Sequence, residues 1–170
     1  MPSSHAHAHA HSDSHASGHA GGHGSRAYLS FALQMAIGGV VMYLAMYLMI
    51  ASLQHFRLNL NMLYMTFAML GPMGIAMLAL MPSMYPNRRL NVVLYAVFAA
   101  MVLVGIWFTR AQVLVGDEEF LRSMIPHHSG AILMCEQAPV TDAEIRDLCG
   151  RIIQSQSEEI AQMEAILGRL

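Results

Sequence analysis

Met124, His127, His128, Ala131 and Cys135 follow one another at steps of three or four residues around an adjacent histidine pair. In a helix, at ~100° per residue, such steps hold the side chains on one face. A thioether, two imidazoles and a thiol on one face form a soft donor set, which selects monovalent copper or silver over hard cations. A second stripe, Cys149, Ile152, Ile153, Gln156, Ile160, Met163 and Leu167, has the same spacing and must turn towards a neighbouring helix. Most of that stripe reads as core, with Cys149 and, less strongly, Gln156 as further donors. The bland alternative is that the two histidines are ordinary surface or core residues.

The elements that carry these residues read as two helices, Asp117 to about Gln137 and Asp142 to about Leu167. Thr141 and Glu144 have the spacing of a capping box and mark the second helix start. Folding the hairpin about Val140 places His128 opposite about Ile152, Met124 opposite about Gln156, and Cys149 opposite about Ala131. In that register Cys135 and Cys149 are offset by ~6 Å along helices ~9 Å apart, too far for a simple disulfide. Shared metal ligation or an inter-subunit bond is easier. Pro126 removes an amide hydrogen before the His pair, which predicts a loosened helix there.

Preceding this hairpin, 27–53, 62–82 and 90–109 form three apolar blocks, uncharged across 27–53, 62–81 and 90–109, each near the ~20 residues needed to cross a bilayer. A cleaved signal peptide is a poorer reading of the first block, because its apolar stretch is too long and its leading segment is not basic. Residues 27–110 therefore read as a three-helix membrane region and 111–170 as a helical domain on one side of it. Residues 1–26 are almost all Ser, Gly, Ala and His, with one acid, Asp13, and one arginine, Arg26, and are expected to be a disordered tail. His5, His7, His9 and His11, with later histidines of the tail, could collect divalent metals, unless the tail is an engineered tag or low-complexity drift.

Ten of the eleven acids lie after Arg110, against four arginines there, a formal charge of minus six that excludes nucleic-acid binding. Three spans put Arg26, Arg88 and Arg89 on one face and Arg57 and Arg110 on the other. That weak positive-inside vote favours a cytoplasmic tail and an extracytoplasmic, periplasmic C-terminal domain in a bacterial inner membrane.

Phe120 through Leu167 resembles the ferritin-like domain of unknown function number 305. The resemblance is carried by Met124-Ile125-Pro126-His127-His128, Ala131-Ile132-Leu133-Met134, and then Ile152, Gln156, Glu159-Ile160 and Met163. The Met84–Asn91 loop is similar to that of membrane-anchored, three-span members. The resemblance implies an all-α fold in which the hairpin pairs with another, as a homodimer, to make a four-helix bundle. It also implies, for some members, monovalent copper or silver held by Met and His, here Met124, His127, His128, Met134 and Met163. A ferritin-like label raises a di-iron site, but the Glu-x-x-His pairs that such sites need are absent from the sequence. No di-iron site, and no enzyme activity, is expected.

Met62, Met65, Met69, Met73, Met77 and Met81 form a ladder over ~28 Å of the second span, and Met35, Met42, Met46 and Met49 share a face of the first. With an antiparallel pivot near residue 58, Met42 falls level with Met73 and Met46 with Met69. Gly71, Pro72 and Gly74 lie near mid-span, where a broken helix could line a site. Methionine is also a flexible core filler. The leading expectation is a membrane-anchored protein that sequesters or hands on monovalent copper. The alternatives are a copper conduit using Met69, Met73 and Met77, and a dimerisation or interaction module in which the His pair is incidental.

Overall fold

A computed structural model describes the backbone from Ala20 and the side chains from Ser25 to Leu170. His5, His7, His9 and His11 lie outside the described residues. Five α-helices follow in order: α1 (Ala20–Ala45), α2 (Leu60–Leu80), α3 (Arg88–Ala111), α4 (Asp117–Gln137) and α5 (Ala143–Leu167). No strand occurs among the described residues. Short 3-10 turns at Met46–Met49 and Leu53–His55 lie between α1 and α2. Ser25–Met49, Leu60–Leu80 and Arg88–Ala111 are long and apolar enough to cross a membrane.

Several boundaries differ from the sequence reading. The first helix starts at Ala20, inside the stretch expected to be unfolded, and its α-helical part ends at Ala45, well short of residue 53. Beyond it the backbone tightens into a 3-10 turn and becomes extended at Ile50. Asn59 and Asn87 cap α2 and α3 by accepting from Met62 N and Leu90 N. At α5 the cap is Asp142, one residue later than the Thr141 expected: its Oδ1 accepts from Glu144 N at 2.9 Å and Ile145 N at 3.1 Å. A carboxylate at a helix N-terminus meets the unpaired amides with a full negative charge, which a threonine hydroxyl lacks.

The closest packing joins α2 and α3, and glycine makes it possible. A Cβ on Gly71 would stand 2.4 Å from Val102 Cγ2 and 2.7 Å from Phe98 O; one on Gly105 would stand 2.9 Å from Ala68 N and Tyr64 O. In the absence of a hydrophobic driving force between helices in lipid, such close approach supplies the attraction. Helix α2 runs unbroken through Pro72, so the mid-span interruption that could have lined a site is not formed. Phe31, Met35, Leu70, Leu78, Tyr85 and Phe98 make the core of this region.

Helix α1 lies against α2 about one turn out of the expected register. Gly38 stands beside Met73 and Gly39 beside Leu70, which moves the antiparallel pivot from about residue 58 towards 55. The 3-10 turns and extended residues of the connection consume chain asymmetrically, and an ideal-helix count cannot anticipate that. Tyrosines fasten the region at both ends. Tyr28 Oη donates to Asn91 Oδ1 at 2.7 Å beside the α2–α3 loop, and Tyr47 Oη donates to Arg57 O, also at 2.7 Å, at the opposite end.

Candidate functional site

Helices α4 and α5 close on each other through Leu121, Ile125, Ile132, Ile160 and Met163, with Met124 and Ile153 packed alongside. Met163, expected as a ligand, is a member of this core. The turn of the hairpin is extended at Ala138 and again at Asp142, so the true pivot lies near residue 142. The register about Val140 is therefore wrong by about one helical turn. That correction decides which donors meet.

Two pairings follow. Cys135 and Cys149 are electrostatic neighbours across the helix pair. Both thiols are free and half-buried. Hydrogen bonding to Cys149, with desolvation and Coulomb repulsion from that neighbour adding to it, pushes the Cys135 thiol up to about 11 from its ordinary 9.0. His128, in turn, meets Glu159, a residue not singled out as a contributor to the site.

The His128 ring is buried and held at both nitrogens. Nδ1 lies 2.9 Å from Met124 O, and because a carbonyl can only accept, Nδ1 carries a proton. Nε2 lies 2.7 Å from Glu159 Oε2, and Gln156 Nε2 donates to the same carboxylate oxygen at 3.4 Å. Two acceptors fit an imidazolium paired with a carboxylate; a metal at Nε2 has to displace that proton and loosen Glu159. An Nδ1–H fixed on a carbonyl is how proteins orient an imidazole whose other nitrogen binds metal.

The remaining expected donors scatter. His127 is exposed, its ring centroid 6.2 Å from that of His128 and inclined at 63°, because adjacent residues on a helix point ~100° apart. Met134 is 54% exposed, on the outer surface of the hairpin. Among the described residues, no group of three or more His, Cys, Asp or Glu side chains is placed to share a metal ion. Of the membrane methionines, Met73 and Met77 pack against the core with Met35, Met42 and Met101, whereas Met69 is exposed on the outer surface of the helix group.

A second face of the hairpin docks on the α1–α2 connection through polar contacts that sequence patterns do not reveal. Ser129, fully buried, accepts from Ala51 N at 2.7 Å and sits 2.8 Å from His55 Nδ1. Because Oγ already accepts from an amide, its hydroxyl hydrogen is available to donate to Nδ1. Gly130 lies under Met49 O, where an added Cβ would come within 3.3 Å. Glu119 Oε2 accepts from Leu60 N at the start of α2, Asn61 Nδ2 donates to Ser123 Oγ, and Arg57 pairs with Glu164 at 3.4 Å. Arg57 and the hairpin therefore share one end of the spanning helices, as the odd number of spans requires.

Comparison with known proteins gives two matches. The model of a family described as a domain of unknown function, DUF305, matches residues 108–167, which include all of α4 and α5. Uncharacterized protein L153 of Acanthamoeba polyphaga mimivirus is 33% identical over 118 residues, covering 68% of this chain and 76% of the viral one. No solved structure matches the chain.

Proposed function

The chain belongs to the DUF305 family, and from that premise we propose that it is a membrane-anchored metal-handling protein whose hairpin captures monovalent copper or silver, limiting its toxicity or passing it on. The observation that carries the reading is the held imidazole of His128: Nδ1 is committed to Met124 O, which aims Nε2 across the hairpin at Glu159. Release of Glu159, a half-exposed carboxylate, frees Nε2 as a donor, and Gln156, bonded to the same carboxylate oxygen, is released with it. The hairpin stands on the extracytoplasmic side in this reading, in a bacterial inner membrane, by the arginine distribution.

The test is metal retention by the full chain in detergent under anaerobic, reducing conditions. The expected outcome is stoichiometric retention of monovalent copper that weakens at least tenfold in His127→Ala/His128→Ala; unchanged affinity would sink the imidazole ligands. The same variant in cells distinguishes an interaction module, which keeps metal resistance intact.

A second copy completes the hairpin in this proposal. Phe120, Met134, Ile145 and Leu148 are each about half exposed on the hairpin, and two helices alone bury little apolar surface. Pairing two hairpins over these residues gives a four-helix, ferritin-like arrangement. The mass of the detergent-solubilised protein, corrected for bound detergent, is expected to be that of a dimer, and a monomer overturns the pairing.

The convergence of Met35, Met42, Met73, Met77 and Met101 favours one further reading, a thioether path for copper through the membrane. Flux into proteoliposomes that is unchanged by Met73→Leu/Met77→Leu rules against it.

A further inference from the structure

Next to the seat of the hairpin, α1 and α2 leave a groove of about 640 Å³ between them. Helix α1 supplies Met35, Gly39 and Tyr43 to it, and α2 supplies Leu63, Phe67 and Leu70. Gly39 lies against Leu70 at the deep end, where an added Cβ would come within 3.0 Å of the leucine. Val40, Leu44, Leu58 and Phe67 on the walls are each about half exposed, so the groove is open along its side. Both helices are long and apolar enough to cross a membrane, and that open side therefore faces hydrocarbon. From Leu60 to Leu70 the α2 wall rises ~15 Å, half of a ~30 Å bilayer core and thus the depth of one leaflet.

The groove is graded in polarity. Glu119 is the one charged residue that lines it, and it stands with Tyr43 and Asn59 at the end where α2 begins. Tyr43 and Asn59 are already engaged: Tyr43 Oη accepts from Asn59 N at 3.0 Å, and Asn59 Oδ1 accepts from Met62 N. Glu119 is only half engaged. Its Oε2 accepts from Leu60 N at 3.1 Å, while Oε1 has no partner among the described residues and is accessible, since no buried side-chain oxygen there is left unpaired. None of the ion pairs among the described residues includes Glu119. A half-buried carboxylate at the edge of hydrocarbon, with one oxygen unused and no counter-charge, calls for a cation with N–H donors.

We propose that this groove binds an aminophospholipid of the surrounding bilayer, of the phosphatidylethanolamine class, with an acyl chain laid between α1 and α2 and its primary ammonium on Glu119 Oε1. The ammonium brings both the missing charge and the N–H donors, and the chain fills apolar surface one leaflet deep. A quaternary ammonium headgroup has the charge but no N–H to donate. An anionic headgroup meets repulsion from Glu119 and from a C-terminal segment of formal charge minus six. Because Glu119 belongs to α4 and the groove to α1 and α2, the seated lipid touches the hairpin and its anchor together. Neither His128 nor either cysteine lines the groove, so this site stands apart from the metal-handling reading.

The experiment offers the delipidated full-length protein, in detergent, dioleoyl phosphatidylethanolamine, phosphatidylcholine or phosphatidylglycerol, and measures retention by native mass spectrometry. The expected result is one phosphatidylethanolamine held roughly tenfold more tightly than either of the others, the size of one hydrogen bond to a charged group. Glu119→Gln keeps an oxygen for Leu60 N but removes the charge, and is expected to bring phosphatidylethanolamine down to the level of phosphatidylcholine with helical circular dichroism unchanged. Equal retention of the three lipids, a preference for phosphatidylglycerol, or a preference that survives Glu119→Gln overturns the proposal. So does an uncharged amphiphile held by the purified protein that phosphatidylethanolamine does not displace. A second readout needs no variant: phosphatidylethanolamine carrying a photoreactive group on its acyl chain is expected to label 35–44 and 63–70 in the wild type in preference to Val92, Val93 and Val97, which are exposed on α3. Labelling spread evenly over the three spans means ordinary surrounding lipid and overturns the site.

Discussion

Single side chains decide which atoms can act. His128 and His127 are neighbours in sequence, yet one ring is buried between Met124 O and Glu159 and the other is exposed, so they are unequal as ligands. Cys135 illustrates a protonation preference set by one partner. Its folded value of about 11 lies above the ordinary 9.0 because the neutral thiol is the form that pairs well with Cys149. The sign follows: this contribution to stability is fully present below about pH 9 and is lost as pH rises through about 11. In the reduced, metal-free protein, alkylation of Cys135 is expected to accelerate with a midpoint near pH 11, returning towards 9 in Cys149→Ala. A midpoint already near 9 in the wild type contradicts the pairing. The spacing of Cys135 and Cys149 was readable, but their meeting was not, because one helical turn of register lay outside what spacing fixes.

Helix termini and helix–helix contacts carry the next level. The N-terminus of α5 is closed by Asp142, whose carboxylate takes two backbone amides, while Thr141 takes none. Asp142→Ala is therefore expected to cost about 1 kcal/mol, and Thr141→Ala only a few tenths. Thermal melts of the two variants in the same detergent check the order, and equal losses would restore the capping box. Between α2 and α3 the constraint is steric. Gly105 faces backbone atoms of Tyr64 and Ala68, which cannot swing aside as a side-chain tip does. Gly105→Ala is expected to lose roughly 1–3 kcal/mol through forced separation of the helices. Gly71 and Gly74 were legible as small residues in a span; their partners Phe98 and Val102 on α3 were not.

For the whole molecule the decisive feature is that the hairpin is seated on its anchor rather than tethered to it. Ser129, Gly130, Glu119, Ser123 and Glu164 all meet residues of the α1–α2 connection or the start of α2. The contacts on the face of Ser129 are the most buried of these. Ser129→Ala leaves the Ala51 amide without its acceptor and removes the hydroxyl partner of His55, a loss of about 1–3 kcal/mol. Hydrogen exchange at Ala51 is the direct readout: protection in the wild type and its loss in the variant are expected, and equal exchange in both means that the hairpin is not seated there. The half-buried Arg57–Glu164 pair, at 3.4 Å, contributes little by comparison.

The three spans, the two-helix domain after them, and the cluster of histidine, thiol and thioether residues on that domain follow from the sequence itself. Hydropathy runs of bilayer length and three-to-four-residue periodicity are local quantities, and they survive whatever the chain does elsewhere. Register, by contrast, depends on how many residues a connection spends in extended or 3-10 backbone, which is settled only when both ends are packed. At 138–142 that count brings Cys135 to Cys149 and Glu159 to His128. At 46–59 it shifts Gly38 beside Met73 and builds the seat for Ser129 from backbone amides, which leave no trace in residue type. The donors were thus written in the sequence, while the pairs they form were decided by the tertiary structure, because a pair depends on the difference between two chain positions that only packing sets.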